Sequence, residues 1–208
     1  MKIASSFLKI QDDAYKISLL DESSDLIHFD IMDGIFTENA SISLNDMKEN
    51  TKFITKPKDI HLMVCDVKKY IDEVISMKPF NITFHYEVVS NPILIIDYLK
   101  SLNIKVGMAI NPETDVDVLK PYLSMIDVVL VMSVHPGKGG QKFIDVSDKL
   151  LKLKNYQKDY DFLIEVDGGI NDETIKFVSL ADIAVSGSFI TDGADYDLQI
   201  KKLRDGLL

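Results

Sequence analysis

The sequence predicts an α/β fold built on a parallel sheet, a (β/α)8 TIM barrel with an eight-stranded core, from three observations. Eight short apolar runs recur along the chain, longer amphipathic segments separate them, and no long glycine-rich fingerprint follows the first run. Strands that alternate with helices imply parallel pairing through crossovers, and the missing fingerprint removes the usual mark of a dinucleotide fold. A single barrel domain over residues 1–208 fits the length, near the short end for this fold. A doubly wound open sheet is the rival architecture.

The elements follow in chain order. Apolar runs at Lys2–Ser5, Leu26–Met32 and Asp59–Val64 read as the first three strands. Val67–Lys78 then reads as a helix, because Val67, Tyr70, Ile71, Val74 and Ile75 recur at helical spacing and mark one buried face. Asn81–His85 is the fourth strand, and Asn91-Pro92 starts a helix over Asn91–Leu102. Strands at Ile104–Ile110 and Asp127–Val134 precede a helical stretch at Ile144–Asn155. Asp161–Val166 is the seventh strand, Asn171 before an acidic first turn opens a helix to Leu180, and Asp182–Ser186 is the eighth strand.

Composition bounds the partners. Hydrophobic residues make up 46% and charged residues 27%, the balance of a soluble globular chain. No apolar run approaches the roughly 18–20 residues of a membrane span, and the N-terminus turns polar too early for a signal peptide. Cys65 is the single cysteine, so no intrachain disulfide forms, and a cytoplasmic, reducing location is expected. A formal net charge of -10 argues against nucleic acid and anionic membrane surfaces. A phosphate site here must therefore work through local backbone amides.

Metal-binding side chains punctuate the apolar runs. His28, Asp30, His61, His85 and Asp167 all fall at strand C-termini, where barrels gather functional groups. His28 and Asp30 stand two residues apart on a strand and so share a face. A lone strand-end histidine is more often a hydrogen-bonded core residue, and a lone aspartate more often a cap. Four ligand-type groups converging on one rim point instead to a divalent ion on His28, Asp30, His61 and Asp167. Mixed imidazole and carboxylate ligands suit zinc, iron(II), manganese or cobalt better than calcium or magnesium. His85 is read as a supporting or core histidine.

Small-residue turns supply the other half of the site. Gly137, Gly139 and Gly140 follow the sixth strand, Gly168 and Gly169 the seventh, and Gly187 and Ser188 the eighth. Glycine lets backbone amides approach an anion, and loops after strands seven and eight are where barrels hold phosphate. Lys138 adds a mobile charge to the first of these loops. Met32, Met63, Met108 and Met132 lie near strand ends, either as core packing or as an apolar floor under a planar intermediate.

At these residues the chain resembles the ribulose-phosphate 3-epimerase family. The matching segments are His28-Phe29-Asp30-Ile31-Met32-Asp33-Gly34, Asp59-Ile60-His61-Leu62-Met63-Val64, Ile82-Thr83-Phe84-His85, Val131-Met132-Ser133-Val134 with Pro136-Gly137, Gly139 to Ile144, and Glu165-Val166-Asp167-Gly168-Gly169-Ile170. They run in family order over nearly the whole chain. The resemblance implies a homo-oligomer, dimer or hexamer, that interconverts D-ribulose 5-phosphate and D-xylulose 5-phosphate in the pentose phosphate pathway. It implies one divalent metal on His28, Asp30, His61 and Asp167, with Asp30 and Asp167 exchanging the C3 proton on opposite faces of the sugar. Ser6 and His61 would touch the sugar above Met32, Met63 and Met132, and the glycine turns with Ser188 would hold its phosphate.

The chain departs from the family pattern at Lys9–Gln11, Ile35–Glu38, His135 and Lys138, all outside the ligand set. A related epimerase acting on D-allulose 6-phosphate shares the metal chemistry and is the alternative. A non-catalytic phosphosugar-binding protein is a second alternative, disfavoured by the complete ligand set. A decarboxylase or aldolase of a related barrel would commonly place a lysine at a strand end, and none of these apolar runs ends on one.

Overall fold

A computed structural model describes residues 1–207. Eight parallel strands close into a barrel in sequence order, which excludes the open sheet. They are β1 (Lys2–Ser6), β2 (Leu26–Met32), β3 (Lys58–Met63), β4 (Asn81–His85), β5 (Lys105–Ile110), β6 (Val128–Met132), β7 (Leu163–Asp167) and β8 (Ile183–Ser186). The seventh strand ends on Asp167, one residue beyond the predicted run.

Helices wrap the outside: α1 (Ala14–Ser23), α2 (Leu44–Asn50), α3 (Val67–Val74), α4 (Pro92–Ser101), α5 (Ser147–Tyr156), α6 (Ser188–Thr191) and α7 (Tyr196–Asp205). Aspartates cap several of them. Asp13, Asp66 and Asp195 each accept a backbone N–H of the first turn, the role that short acidic side chains fill best. The helix expected from Asn171 to Leu180 shrinks to a 3-10 turn at Ile175–Val178. Asn171 Oδ1 takes the amides of Glu173 and Thr174, and Thr174 Oγ1 donates to the Gly169 carbonyl, so these groups serve a tight turn instead of an α-helical start. The segment after β5 is also 3-10, Val116–Tyr122. Pro121 inside it lacks the N–H and the clearance that an α-helix needs. None of the described helices is long and apolar enough to cross a membrane.

The main apolar core lies between sheet and helices and includes Phe29, Leu62, Phe84 and Met108. Met108 thus belongs to this outer core and not to the rim. Inside the barrel, Ala4, Leu26, Ile183 and Val185 form a small apolar cluster that runs up to the level of Asp167. The rest of the interior departs from the bulky aliphatic filling usual in these barrels. It holds His28, Asp59, Asn81, Thr83 and Glu165, each at most 1% exposed. Gly107 makes room for it, since a Cβ there would lie 2.0 Å from Thr83 Oγ1.

Candidate metal centre and active site

Strand register assembles the site. Asp30 pairs with His61, His28 with Ser6, and Asp167 with Met132, which brings groups from five strands together at the C-terminal mouth. One ligand atom from each of His28, Asp30, His61 and Asp167 lies within 4.8 Å of all the others. His28 Nε2 stands 3.4 Å from Asp30 Oδ1 and 3.8 Å from Asp167 Oδ2. His61 Nδ1 stands 3.4 Å and 3.6 Å from the same two oxygens. Neither nitrogen has a hydrogen-bond partner among the described residues, although both rings are fully buried. Buried imidazole nitrogens are normally paired. Two bare nitrogens facing two carboxylate oxygens are the donor set that a divalent transition ion takes, so the residues fit such an ion.

The opposite edge of each imidazole is held from behind. His28 Nδ1 contacts Asp59 Oδ2 at 2.5 Å, and Asn81 Nδ2 donates to Asp59 Oδ1 at 2.7 Å. Metal-ligating histidines are commonly oriented by such a carboxylate. Glu165 lies 4.0 Å from His28 Nδ1. His28, Asp59 and Glu165 also cluster closely enough to suggest a second ion. At 2.5 Å the pair is in hydrogen-bond contact, closer than the roughly 3.3 Å that separates two ligand atoms about 2 Å from a tetrahedral ion, so this cluster is a hydrogen-bonded support. Behind His61, its Nε2 stands 2.8 Å from His85 Nε2, and His85 Nδ1 stands 3.3 Å from Glu87 Oε2. The structure thus places His85 behind His61 and outside the tetrad.

Electrostatics follow this geometry. Burial opposes charge on His28, but Asp59 and Asp30 outweigh it and hold its pKa well above the ordinary histidine value. Burial also opposes charge on His61, and Asp167 and Asp30 raise it. Burial alone would raise the Asp30 carboxyl, yet His28 and His61 bring it far below the carboxylate range. Burial, helped by the Asp59 charge, pushes Glu165 well above its usual value. Burial takes His85 down to about 4. Glu87 would also rise on burial, but hydrogen bonds from His85, Asn111 and Thr114 bring it down to about 2.

A pH dependence follows. An ion must displace protons from His28 and His61, whose raised pKa values make protons stronger competitors. Apparent metal affinity is therefore expected to climb as pH rises and to level off only above the raised values of the two imidazoles, beyond the unperturbed value of about 6.5. Chelator competition at several pH values measures this. A flat profile from about pH 5.5 to 8 would show that the two imidazoles are not ligands.

Above the tetrad opens a cavity of about 750 Å³, within the size range of small-molecule sites. Ser6, Asp30, Met63, Met132 and Asp167 line its floor. Ser6 Oγ donates to Asp30 Oδ2 at 2.6 Å. His61 is fully buried beneath, and Met32, 5% exposed, does not line the cavity. Gly137, Gly139, Gly140, Gly168, Gly169, Gly187 and Ser188 all line its walls, so the three predicted turns converge. Gly168 has φ +123°, and a Cβ there would meet Val134 Cγ2 at 2.4 Å. The loop after β6 is folded on itself: Gln141 Nε2 donates to the His135 and Lys138 carbonyls. Asn39 Nδ2 ties it to the loop after β2 through the Gly137 carbonyl. Lys138 is exposed on its crest, and Lys9 reaches the cavity wall paired with Asp192 at 2.6 Å.

Asp59, Glu165 and Glu87 were not among the sequence-predicted site residues. Asp59 and Glu165 each stand two residues before a ligand on the same strand face, so the pleat that selects His61 and Asp167 also selects them. Glu87 lies beyond a strand end and leaves no such trace.

Comparison with known proteins agrees with this arrangement. Residues 2–191 match the model of the ribulose-phosphate 3 epimerase family. The chain is 35% identical over 215 residues to ribulose-phosphate 3-epimerase from Helicobacter pylori, covering 99% of this chain and 97% of that protein. It is 40% identical over 189 residues to the Methanocaldococcus jannaschii protein of the same name, covering 88% and 80%. Among solved structures, 3-hexulose-6-phosphate synthase from Salmonella typhimurium superposes with a TM-score of 0.73 at 19% identity, covering 100% of this chain and 98% of that one. That likeness concerns the fold. With the family model and both relatives spanning most of its length, the chain belongs to the ribulose-phosphate 3 epimerase family.

Proposed function

We propose that this chain interconverts D-ribulose 5-phosphate and D-xylulose 5-phosphate by metal-dependent, two-base proton transfer at C3, in the pentose phosphate pathway of the cytoplasm. The observation that carries the reading is the pair of bare imidazole nitrogens, His28 Nε2 and His61 Nδ1, facing Asp30 and Asp167 at the cavity floor. A zinc, iron(II), manganese or cobalt ion on these four residues would supply Lewis-acid stabilisation of the negative charge that C3 deprotonation sends onto the C2 oxygen.

The chain's own groups do the rest. Asp30, ionised as an ion ligand must be, is placed to accept the C3 proton in one direction of the reaction. Asp167 delivers a proton to the opposite face and inverts the centre. Ser6 Oγ fixes the plane of the Asp30 carboxylate. Met63 and Met132 give a floor that does not compete for protons. The amides of the three glycine turns, with Ser188, receive the phosphate, and the loop around Gly137–Gly140 excludes water from the enediolate.

Turnover in deuterated water is the test. Deuterium is expected at C3 of the product, and complete retention of the original hydrogen would rule out this chemistry. Running the assay with D-allulose 6-phosphate in parallel decides between five- and six-carbon substrates by kcat/KM. Failure of both sugars with an intact metal site would favour a phosphosugar-binding protein.

A further inference from the structure

We propose that Glu87 and His85 form a directed hydrogen-bond chain that keeps the His61 proton on Nε2 and leaves Nδ1 free to bind the ion. The inference rests on the metal-site reading above, and it assigns positioning roles to two residues that touch neither ion nor sugar.

Direction is set at the outer end. An ionised carboxylate only accepts hydrogen bonds. Glu87 Oε1 accepts the Asn111 amide at 2.8 Å and the Thr114 hydroxyl at 2.6 Å, which leaves Oε2 for His85 Nδ1 at 3.3 Å. His85 Nδ1 therefore carries a hydrogen. The 2.8 Å gap between the two Nε2 atoms holds one hydrogen and needs one bare acceptor. With Nδ1 protonated, the neutral His85 ring offers Nε2 as that acceptor, so His61 Nε2 donates. The reverse arrangement would put a hydrogen on His61 Nδ1, the atom that faces Asp30 Oδ1 at 3.4 Å and Asp167 Oδ2 at 3.6 Å across the ion site, and an ion could bind there only by displacing it. The two imidazoles stack at 5.0 Å and 25°, and Phe36 packs on His85 at 4.9 Å, which shields the shared hydrogen from water.

Glu87→Gln tests the direction at almost constant shape. The glutamine carbonyl keeps the Asn111 and Thr114 donors, and its amide N–H2 then faces His85 Nδ1. His85 must accept there, its proton moves to Nε2, and His61 is forced to carry hydrogen on Nδ1. Titration of the metal-free protein with zinc alone against a chelator is expected to show an affinity loss of roughly 10–100-fold for E87Q. Thr114→Val, which removes a donor but leaves Oε2 as acceptor, is expected to stay near wild type. Imidazole nitrogen chemical shifts of the metal-free protein give a second readout. They are expected to put the hydrogen of His85 on Nδ1 in the wild type and on Nε2 in E87Q. Wild-type zinc affinity in a folded E87Q, or hydrogen on His85 Nε2 in the wild type, overturns the proposal. A protein that binds zinc as expected but epimerises no sugar would refute the proposed reaction alone. A wild type that binds no zinc would refute both.

Discussion

Asp30→Asn and Asp167→Asn are each expected to abolish epimerisation, with kcat falling at least ~10²–10⁴-fold, the share that a positioned acid or base contributes. An amide neither accepts the C3 proton nor returns one. Each change also weakens an ion ligand, so ion content must be measured beside turnover. An inactive variant that keeps its ion isolates the proton-carrier role. Asp30 is the gentler probe of structure, because Ser6 Oγ, which donates to its Oδ2, can rotate to accept from an amide instead. With one carboxylate lost, the survivor should still exchange the C3 hydrogen of one epimer with solvent and leave the other epimer untouched. Near wild-type turnover by either variant would refute the two-base scheme.

Gly107→Ala is expected to destabilise the fold by ~1–3 kcal/mol, the usual cost of overpacking a core. For a chain of this size that is a fall in Tm of roughly 2–12 °C. The added methyl would sit 2.0 Å from Thr83 Oγ1 and 3.0 Å from Thr83 Cα, and backbone does not yield as a side-chain tip does. Thr83 Oγ1 accepts from Asn81 Nδ2, which also donates to Asp59, which holds His28. A push on β4 is thus transmitted to His28, 79 positions away in the sequence, and on the proposed reading ion affinity should fall with Tm. Thermal unfolding with and without added ion measures both. An unchanged Tm would mean that the barrel interior is looser than the distances indicate.

The parts of this molecule that repeat were legible in the sequence. Strand runs such as Leu26–Met32 announce themselves because both faces are buried, and the i, i+2 pairing of His28 with Asp30 follows from the pleat alone. The convergence of His28, Asp30, His61 and Asp167 was legible for the same reason, since barrel topology brings strand ends together wherever they fall in the chain. What stayed hidden depends on distances that no pattern encodes. The Asn171–Leu180 stretch carries helix-start chemistry, yet Asn171 and Thr174 spend it on a turn beneath Gly169. Glu87 is one carboxylate among many acidic residues until β4 and β5 bring it between His85 and Asn111. The 2.5 Å pairing of His28 with Asp59 likewise depends on which of two adjacent strands leads the other.

The polar layer inside the barrel makes heat a way of reading chemistry. His28, Asp59, Asn81, Thr83 and Glu165 occupy space that branched aliphatics would otherwise fill, so the centre of the molecule gains little from water exclusion alone. An ion seated on His28 and His61 would stabilise the folded state by an amount set only by its concentration and dissociation constant, about 2.7 kcal/mol at a hundredfold excess over Kd. Melting curves taken over a panel of divalent ions would then rank them without any sugar present. The ion that raises the midpoint most at equal concentration is the one this scaffold selects.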